Sequence, residues 1–154
     1  MYIPDPQSSG EGTPTAAVPA RSAVAEAAGM TSDYDELLPL VDGATLQELE
    51  EQLDGSELAL RFARDYAAMW DQRCAKLAAA IQNQDPDAAL DAVISLRITS
   101  AMVGGLRLAR LAEILEDVIR QGDFSDGLAI MERVAENGEQ TVSELQSSYI
   151  VKNG

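Results

Sequence analysis

The run Ala92-Val93-Ile94-Ser95-Leu96-Arg97-Ile98-Thr99-Ser100-Ala101-Met102-Val103-Gly104-Gly105-Leu106-Arg107-Leu108 decides the reading of the chain. It describes an apolar helix stopped by a double glycine and followed at once by a second amphipathic helix. Ala89, Val93, Leu96, Ser100 and Val103 recur at helical spacing and form one apolar face, where the small Ser100 allows close helix approach. Ile94, Ile98 and Met102, beside Leu90 and Ala101, lie rotated well away from it. A helix greasy on two sides is either surrounded by other helices or carries an exposed sticky patch.

Working outward, Asn83-Gln84-Asp85-Pro86 breaks the chain ahead of this helix, with Asp85 as a cap and Pro86 in the first turn. The helix before it runs from Ser56, read as its cap, to Gln82. Its core stripe is Leu58, Phe62, Tyr66, Trp70, Leu77 and Ile81, with Ala59, Ala63 and Cys74 filling in. Tyr66 and Trp70 either fill that core or line a ligand pocket, and Cys74 reads as a small buried hydrophobe. Further upstream, Thr45-Leu-Gln-Glu48 has capping-box spacing, so a short helix is expected from Thr45 to Leu53, ended by Asp54-Gly55. Asp35 to Val41 reads as an extended lead-in around Pro39.

Downstream, Leu108, Leu111, Ala112, Leu115 and Val118 mark one helix ending near Gly122. Phe124 and Asp126 open the last, with Leu128, Met131, Val134, Ala135, Val142, Leu145 and Tyr149 spaced for burial. No stretch alternates like a strand. The expected fold is all-α: an antiparallel up-down-up-down four-helix bundle with a short extra N-terminal helix, spanning residues 35–152. Residues 1–34 are rich in Pro, Gly, Ser, Thr and Ala and lack an apolar period, so they read as a disordered or loosely ordered tail.

Composition narrows the function. With 154 residues the chain suits one domain, and aromatic residues at only 5% leave Leu, Ala, Ile, Val and Met to build the core. A net charge of -15 repels phosphate backbones and anionic headgroups, so neither nucleic acid nor a membrane surface is an expected partner. No apolar run approaches the roughly 18 residues of a spanning helix, and no basic region precedes an apolar core at the N-terminus. The single cysteine, Cys74, allows no intrachain disulfide and fits a cytoplasmic location. The chain holds no histidine, which removes imidazole bases, nucleophile pairs and metal ligands together. A lone thiol cannot make a zinc site. The 26 acids are spread along helices without a cluster, so no cofactor, no metal and no enzymatic activity are expected.

From Leu40 to Phe124 the sequence resembles the histidine-containing phosphotransfer (HPt) domains of bacterial phosphorelays. The family signature is Ala-His-x-Leu-Lys-Gly, about five residues, then Gly, then a helix that opens with Leu and often ends Leu-Glu. Val93-Ile94-Ser95-Leu96-Arg97-Ile98, Thr99 to Val103 and Gly104 follow that frame, and Leu108-Ala109 and Leu115-Glu116 stand in the expected places. Thr45 to Ser56 is similar to the family's first helix and turn. The resemblance implies the same four-helix bundle, but two positions depart from it. The phosphoacceptor histidine falls at Ile94, and the glycine that keeps the docking surface low falls at Ile98. Isoleucine offers no nitrogen nucleophile, so phosphohistidine transfer through position 94 is chemically impossible. Ser95 and Thr99 are neighbouring hydroxyls with no base in the pattern to activate them.

The expectation is therefore a degenerate HPt domain that cannot carry phosphate and acts as a binding or scaffolding module. Leu90, Ile94, Ile98, Ala101 and Met102, fringed by Arg97, would face a response-regulator receiver domain or another signalling protein. Arg97 stands where the family has Lys and reads either as a surface cation or as a partner for an acidic pocket. Burying some 300–500 Å² of such a patch is worth roughly 8–12 kcal/mol gross, from which association costs subtract several. The alternatives are a structural bundle that homodimerises through the same helix, and active phosphotransfer through another residue.

Overall fold

The computed structural model describes residues 37–153. Five helices follow the lead-in: α1 (Gly43–Gln52), α2 (Ser56–Gln82), α3 (Pro86–Met102), α4 (Leu106–Arg120) and α5 (Phe124–Leu145). A π turn, Gln146–Ile150, and a last helical turn, Val151–Asn153, extend α5. There is no strand among the described residues. The four long helices form a ring in chain order, with α5 closing against α2, and α1 lies across one end against α2 and α3. This is the expected all-α bundle with its short extra helix. Residues 1–34, read as a tail, and Asp35-Glu36 of the lead-in lie outside the described residues.

The helices are short of connecting chain because one turn is used four times. Residues 53–55, 83–85, 103–105 and 121–123 each supply a C-cap, a residue with positive φ, and the N-cap of the next helix. The positive-φ residues are Asp54 (63°), Gln84 (53°), Gly104 (82°) and Gly122 (78°). In every case the next residue's N–H reaches back to the carbonyl of the third-last helical residue: Gly55 to Glu50 (2.8 Å), Asp85 to Ala80 (3.0 Å), Gly105 to Ser100 (2.8 Å) and Asp123 to Val118 (3.2 Å). That is the Schellman arrangement, which satisfies carbonyls the helix end would otherwise leave open.

At the helix starts, two of the expected caps move. Asp42, not Thr45, caps α1: its carboxylate accepts from the Thr45 N–H (3.1 Å) and from the Thr45 hydroxyl (2.6 Å). Asp42 has the extended backbone a cap requires, whereas Thr45 is already inside the helix. For α2 the cap is Gly55, at φ 141° and ψ 168°, and Ser56 becomes the first helical residue. That backbone is open to glycine and closed to serine. Asp85 caps α3 as expected, accepting from the Ala88 N–H (3.2 Å), and Asp123 caps α5.

The core forms where the expected stripes meet. Leu77, Ile81, Leu108, Leu111, Leu115, Ile119 and Val93 are fully buried. A second cluster under α1 joins Leu46 and Leu49 to Ala59, Ala63, Tyr66, Val103, Leu145 and Tyr149. Tyr66 and Trp70 are both core residues. The Tyr66 hydroxyl shares a 2.7 Å hydrogen bond with the buried Ser100 hydroxyl. Burial pushes the phenol up to about 12, against the opposing pull of Ser100 and Arg73. Several residues expected inside are less than fully buried, among them the half-buried Phe62, Ala135 and Val142. Leu58 and Leu128 are 49% and 41% exposed, and Cys74 is half-buried. Leu58 sits about 100° around the helix from Ala59, so only one of them can face the ring centre.

The lead-in is tied to the α3–α4 corner. Asp42 N–H donates to Gly104 O (2.8 Å), Arg107 N–H to Pro39 O (3.2 Å) and Arg107 Nε to Leu38 O (3.0 Å). A Cβ on Gly104 would lie 2.6 Å from the Asp42 carbonyl oxygen, so glycine is required there for contact as well as for φ.

Candidate functional site

Helix α3 is apolar around most of its circumference, and the bundle covers only part of it. Ala89, Val93, Leu96, Ser100 and Val103 are each at most 2% exposed and pack into the ring. On the other side Ile98 is 47% exposed, Ala101 is exposed, and Leu90, Ile94 and Met102 are half-buried. Ile94 and Ile98, four residues apart, are thus neighbours on an outward-facing surface. Met102 belongs to that surface only in part, because it also packs against the cluster beneath α1.

Arg97 does not project as a free cation. Its Nε donates to Glu116 Oε1 on α4 at 2.9 Å, while Arg120 holds Glu116 Oε2 at 2.9 Å. The Glu116 side chain is only 12% exposed. Burial works to raise its carboxyl, but the hydrogen bonds and charges of Arg120 and Arg97 outweigh this and hold it below the usual carboxylate range. The Arg97–Glu116–Arg120 clamp therefore fastens α3 to α4 beside the apolar surface. The Glu116-to-Arg120 spacing was visible as an i,i+4 pair; the Arg97 contact spans 19 residues and left no local signal.

On the opposite edge of α3, Arg73 of α2 reaches the hydroxyls of Ser95 (3.5 Å) and Thr99 (3.3 Å). Thr99 donates its own proton to the Ser95 carbonyl oxygen at 2.8 Å. Among the described residues neither hydroxyl is hydrogen-bonded to a carboxylate. Sequence reasoning missed Arg73, whose approach depends on how α2 and α3 are rotated against each other. Among the described residues no three acidic or cysteine side chains converge as a metal site, and no helix is long and apolar enough to cross a membrane.

Comparison with solved structures supplies a neighbour. The crystal structure of histidine-containing phosphotransfer protein B (HptB) from Pseudomonas aeruginosa PAO1 superposes with a TM-score of 0.64 over 71% of this chain and 93% of that one, at 21% sequence identity. The fold is HPt-like. No protein-family model and no curated protein sequence matches the chain. In the HPt-like bundle, Ile94 and Ile98 occupy the exposed side of the helix that carries the signature-like run.

Proposed function

We propose that this HPt-like bundle is a non-enzymatic binding module of phosphorelay signalling, cytoplasmic, that engages a receiver domain or similar signalling protein without carrying phosphate. One observation carries the reading. Where the resemblance puts a phosphoacceptor, α3 presents Ile94 beside the exposed Ile98, in a chain that contains no histidine. A phosphoramidate cannot form without the nitrogen, and among the described residues the adjacent Ser95 and Thr99 hydroxyls bond Arg73 and backbone rather than a carboxylate. What the surface can still do is bury apolar area against a partner. Two isoleucines, a leucine and an alanine suit a shallow apolar patch, while the Glu116 clamp leaves Arg97 little part in recognition.

Titrating purified receiver domains against the protein tests this. Ile98→Asp is expected to abolish binding with the helical circular dichroism and thermal midpoint little changed, since Ile98 is 47% exposed, and Ile94→Asp, at a half-buried position, to abolish it with the helical signal retained and the midpoint somewhat lowered. Incubation with a phosphorylated receiver is expected to leave no label, acid-labile or acid-stable, on the chain. Label of either kind, or binding indifferent to both aspartates, would overturn the proposal. Sedimentation of the free protein separates it from a homodimer through α3, whose mass would fall to the monomer in Ile94→Asp.

A further inference from the structure

Across the ring from the α3–α4 seam, α2 and α5 leave a groove of about 520 Å³ between them. Its floor is built from Trp70, Cys74, Ala75, Ala78, Met131 and Ala135. The alanines keep that floor low, and Leu128 stands at its edge, 41% exposed. It extends from Trp70 to Gln82 on α2 and from Leu128 to Glu139 on α5. At 1.5 Å per residue that is on the order of 17 Å, or about three helical turns. Its rim carries Asp71, Glu132 and Glu139, with no lysine or arginine among the lining residues. None of the three carboxylates takes part in an ion pair among the described residues. Glu116, by contrast, is neutralised by two arginines. The groove is thus a low apolar trough with an uncompensated negative border.

We propose that the α2–α5 groove docks a cationic amphipathic helix of a partner protein. The apolar stripe of such a helix, two or three large side chains at i, i+4 and i+7, fills the trough above the alanines. Lysines or arginines flanking that stripe meet Asp71 on one wall and Glu132 and Glu139 on the other. An acidic helix of the same shape is repelled by these three carboxylates, and a neutral one gains nothing from them. The Cys74 thiol registers the field: burial raises its pKa first, and the charges of Asp71 and Glu139 raise it further. The groove shares no residue with the α3 surface, so the two proposals stand or fall separately.

Trp70 is the only tryptophan in the chain and lines the groove, so its emission reports occupancy. The probe is a helical peptide of roughly twelve residues with leucines on one face and lysines on its flanks, and a glutamate-flanked counterpart is the control. The lysine peptide is expected to shift Trp70 emission saturably, with affinity falling as salt rises. The triple substitution Asp71→Lys, Glu132→Lys, Glu139→Lys is expected to weaken binding by roughly tenfold or more, as attraction becomes repulsion at three rim positions. Reversing three acids elsewhere, Glu48→Lys, Glu51→Lys and Asp117→Lys, is expected to change it little. Ala75→Phe, which fills the trough without altering charge, also abolishes it, and Ile94→Asp leaves it intact. Equal weakening by both charge-reversal sets would reduce the interaction to bulk attraction and overturn the proposal. So would binding of the glutamate peptide, or a concentration-dependent dimer whose formation Ala75→Phe abolishes.

Discussion

Two residues on tight backbone show how much a single Cβ decides in this bundle. At Gly138 an added methyl would fall 1.8 Å from Trp70 Cζ2 and 2.1 Å from Cη2, because the indole lies directly on the α5 backbone. The ring is buried and cannot swing away as a flexible side chain would. Gly138→Ala is therefore expected to lower stability by about 2–3 kcal/mol, read as a drop in the denaturant midpoint with a shift in Trp70 emission. The opposite case is Gln84, a non-glycine residue at φ 53° in the α2–α3 turn. A side chain costs roughly 1–2 kcal/mol in that region, against about 0.5–1 kcal/mol of chain entropy that glycine loses on folding. Gln84→Gly is expected to stabilise by about 0.5–1 kcal/mol, visible as a raised thermal midpoint. A fall in the midpoint would mean that the glutamine side chain contributes a contact worth more than the strain.

At the level of elements, α3 is held on three sides by different means. Its inner face packs into the ring, its C-terminus is pinned by the Gly104–Asp42 bond, and Glu116 of α4 clamps Arg97. The clamp gives a pH dependence whose sign follows from the carboxyl being held below its ordinary value of 4.5. With the folded value below the unfolded one, the unfolded chain takes up the proton first as pH falls. The contribution is fully present at neutral pH and is lost from about 4.5 downward through the lower folded value. Glu116→Gln removes it. Urea midpoints of the two proteins are therefore expected to differ at pH 7 and to converge as pH falls from 4.5 through the lower folded value, and a gap independent of pH would refute the assignment. At the α1 end of the bundle the π turn aims the Tyr149 hydroxyl at Glu50 of α1, a 2.7 Å bond that ties the C-terminal extension to the short helix. Burial, and then the bond and charge of Glu50, raise the Tyr149 pKa, so this tie persists across the neutral range.

For the whole molecule the governing quantity is a net charge of -15 on 154 residues. Among the described residues three ion pairs form between side chains, and two of those share Glu116. The excess of acids over cations makes the surface repel itself on balance, a cost that salt screens. The thermal midpoint is expected to rise by roughly 2–5 °C between low salt and about 0.5 M sodium chloride, measured by circular dichroism at pH 7. A midpoint that falls with salt would place the net electrostatic contribution in the paired sites instead. The two candidate surfaces differ in charge: the α3 patch is apolar beside a clamp in which two arginines share one glutamate, whereas the α2–α5 trough is bordered by carboxylates that form no ion pair among the described residues.

The sequence by itself determined the number and order of the helices, most of their breaks, and the two-sided character of α3. Those properties are local: apolar spacing, Asp85-Pro86 and Gly104-Gly105 act within a turn or two of chain. It also determined that no phosphohistidine can form, since that follows from the absence of a residue type. Tertiary structure decided what each face meets. Periodicity states which side of a helix is apolar and is silent on which residue of another helix lies opposite it. Arg97 therefore looked free until α4 brought Glu116 against it, Cys74 and Leu128 looked buried until α2 and α5 left a trough between them, and Trp70 gave no hint that it rests on Gly138. Even the α1 cap was settled at long range, because Asp42 is held in extended form by a hydrogen bond to Gly104, 62 residues away in the chain.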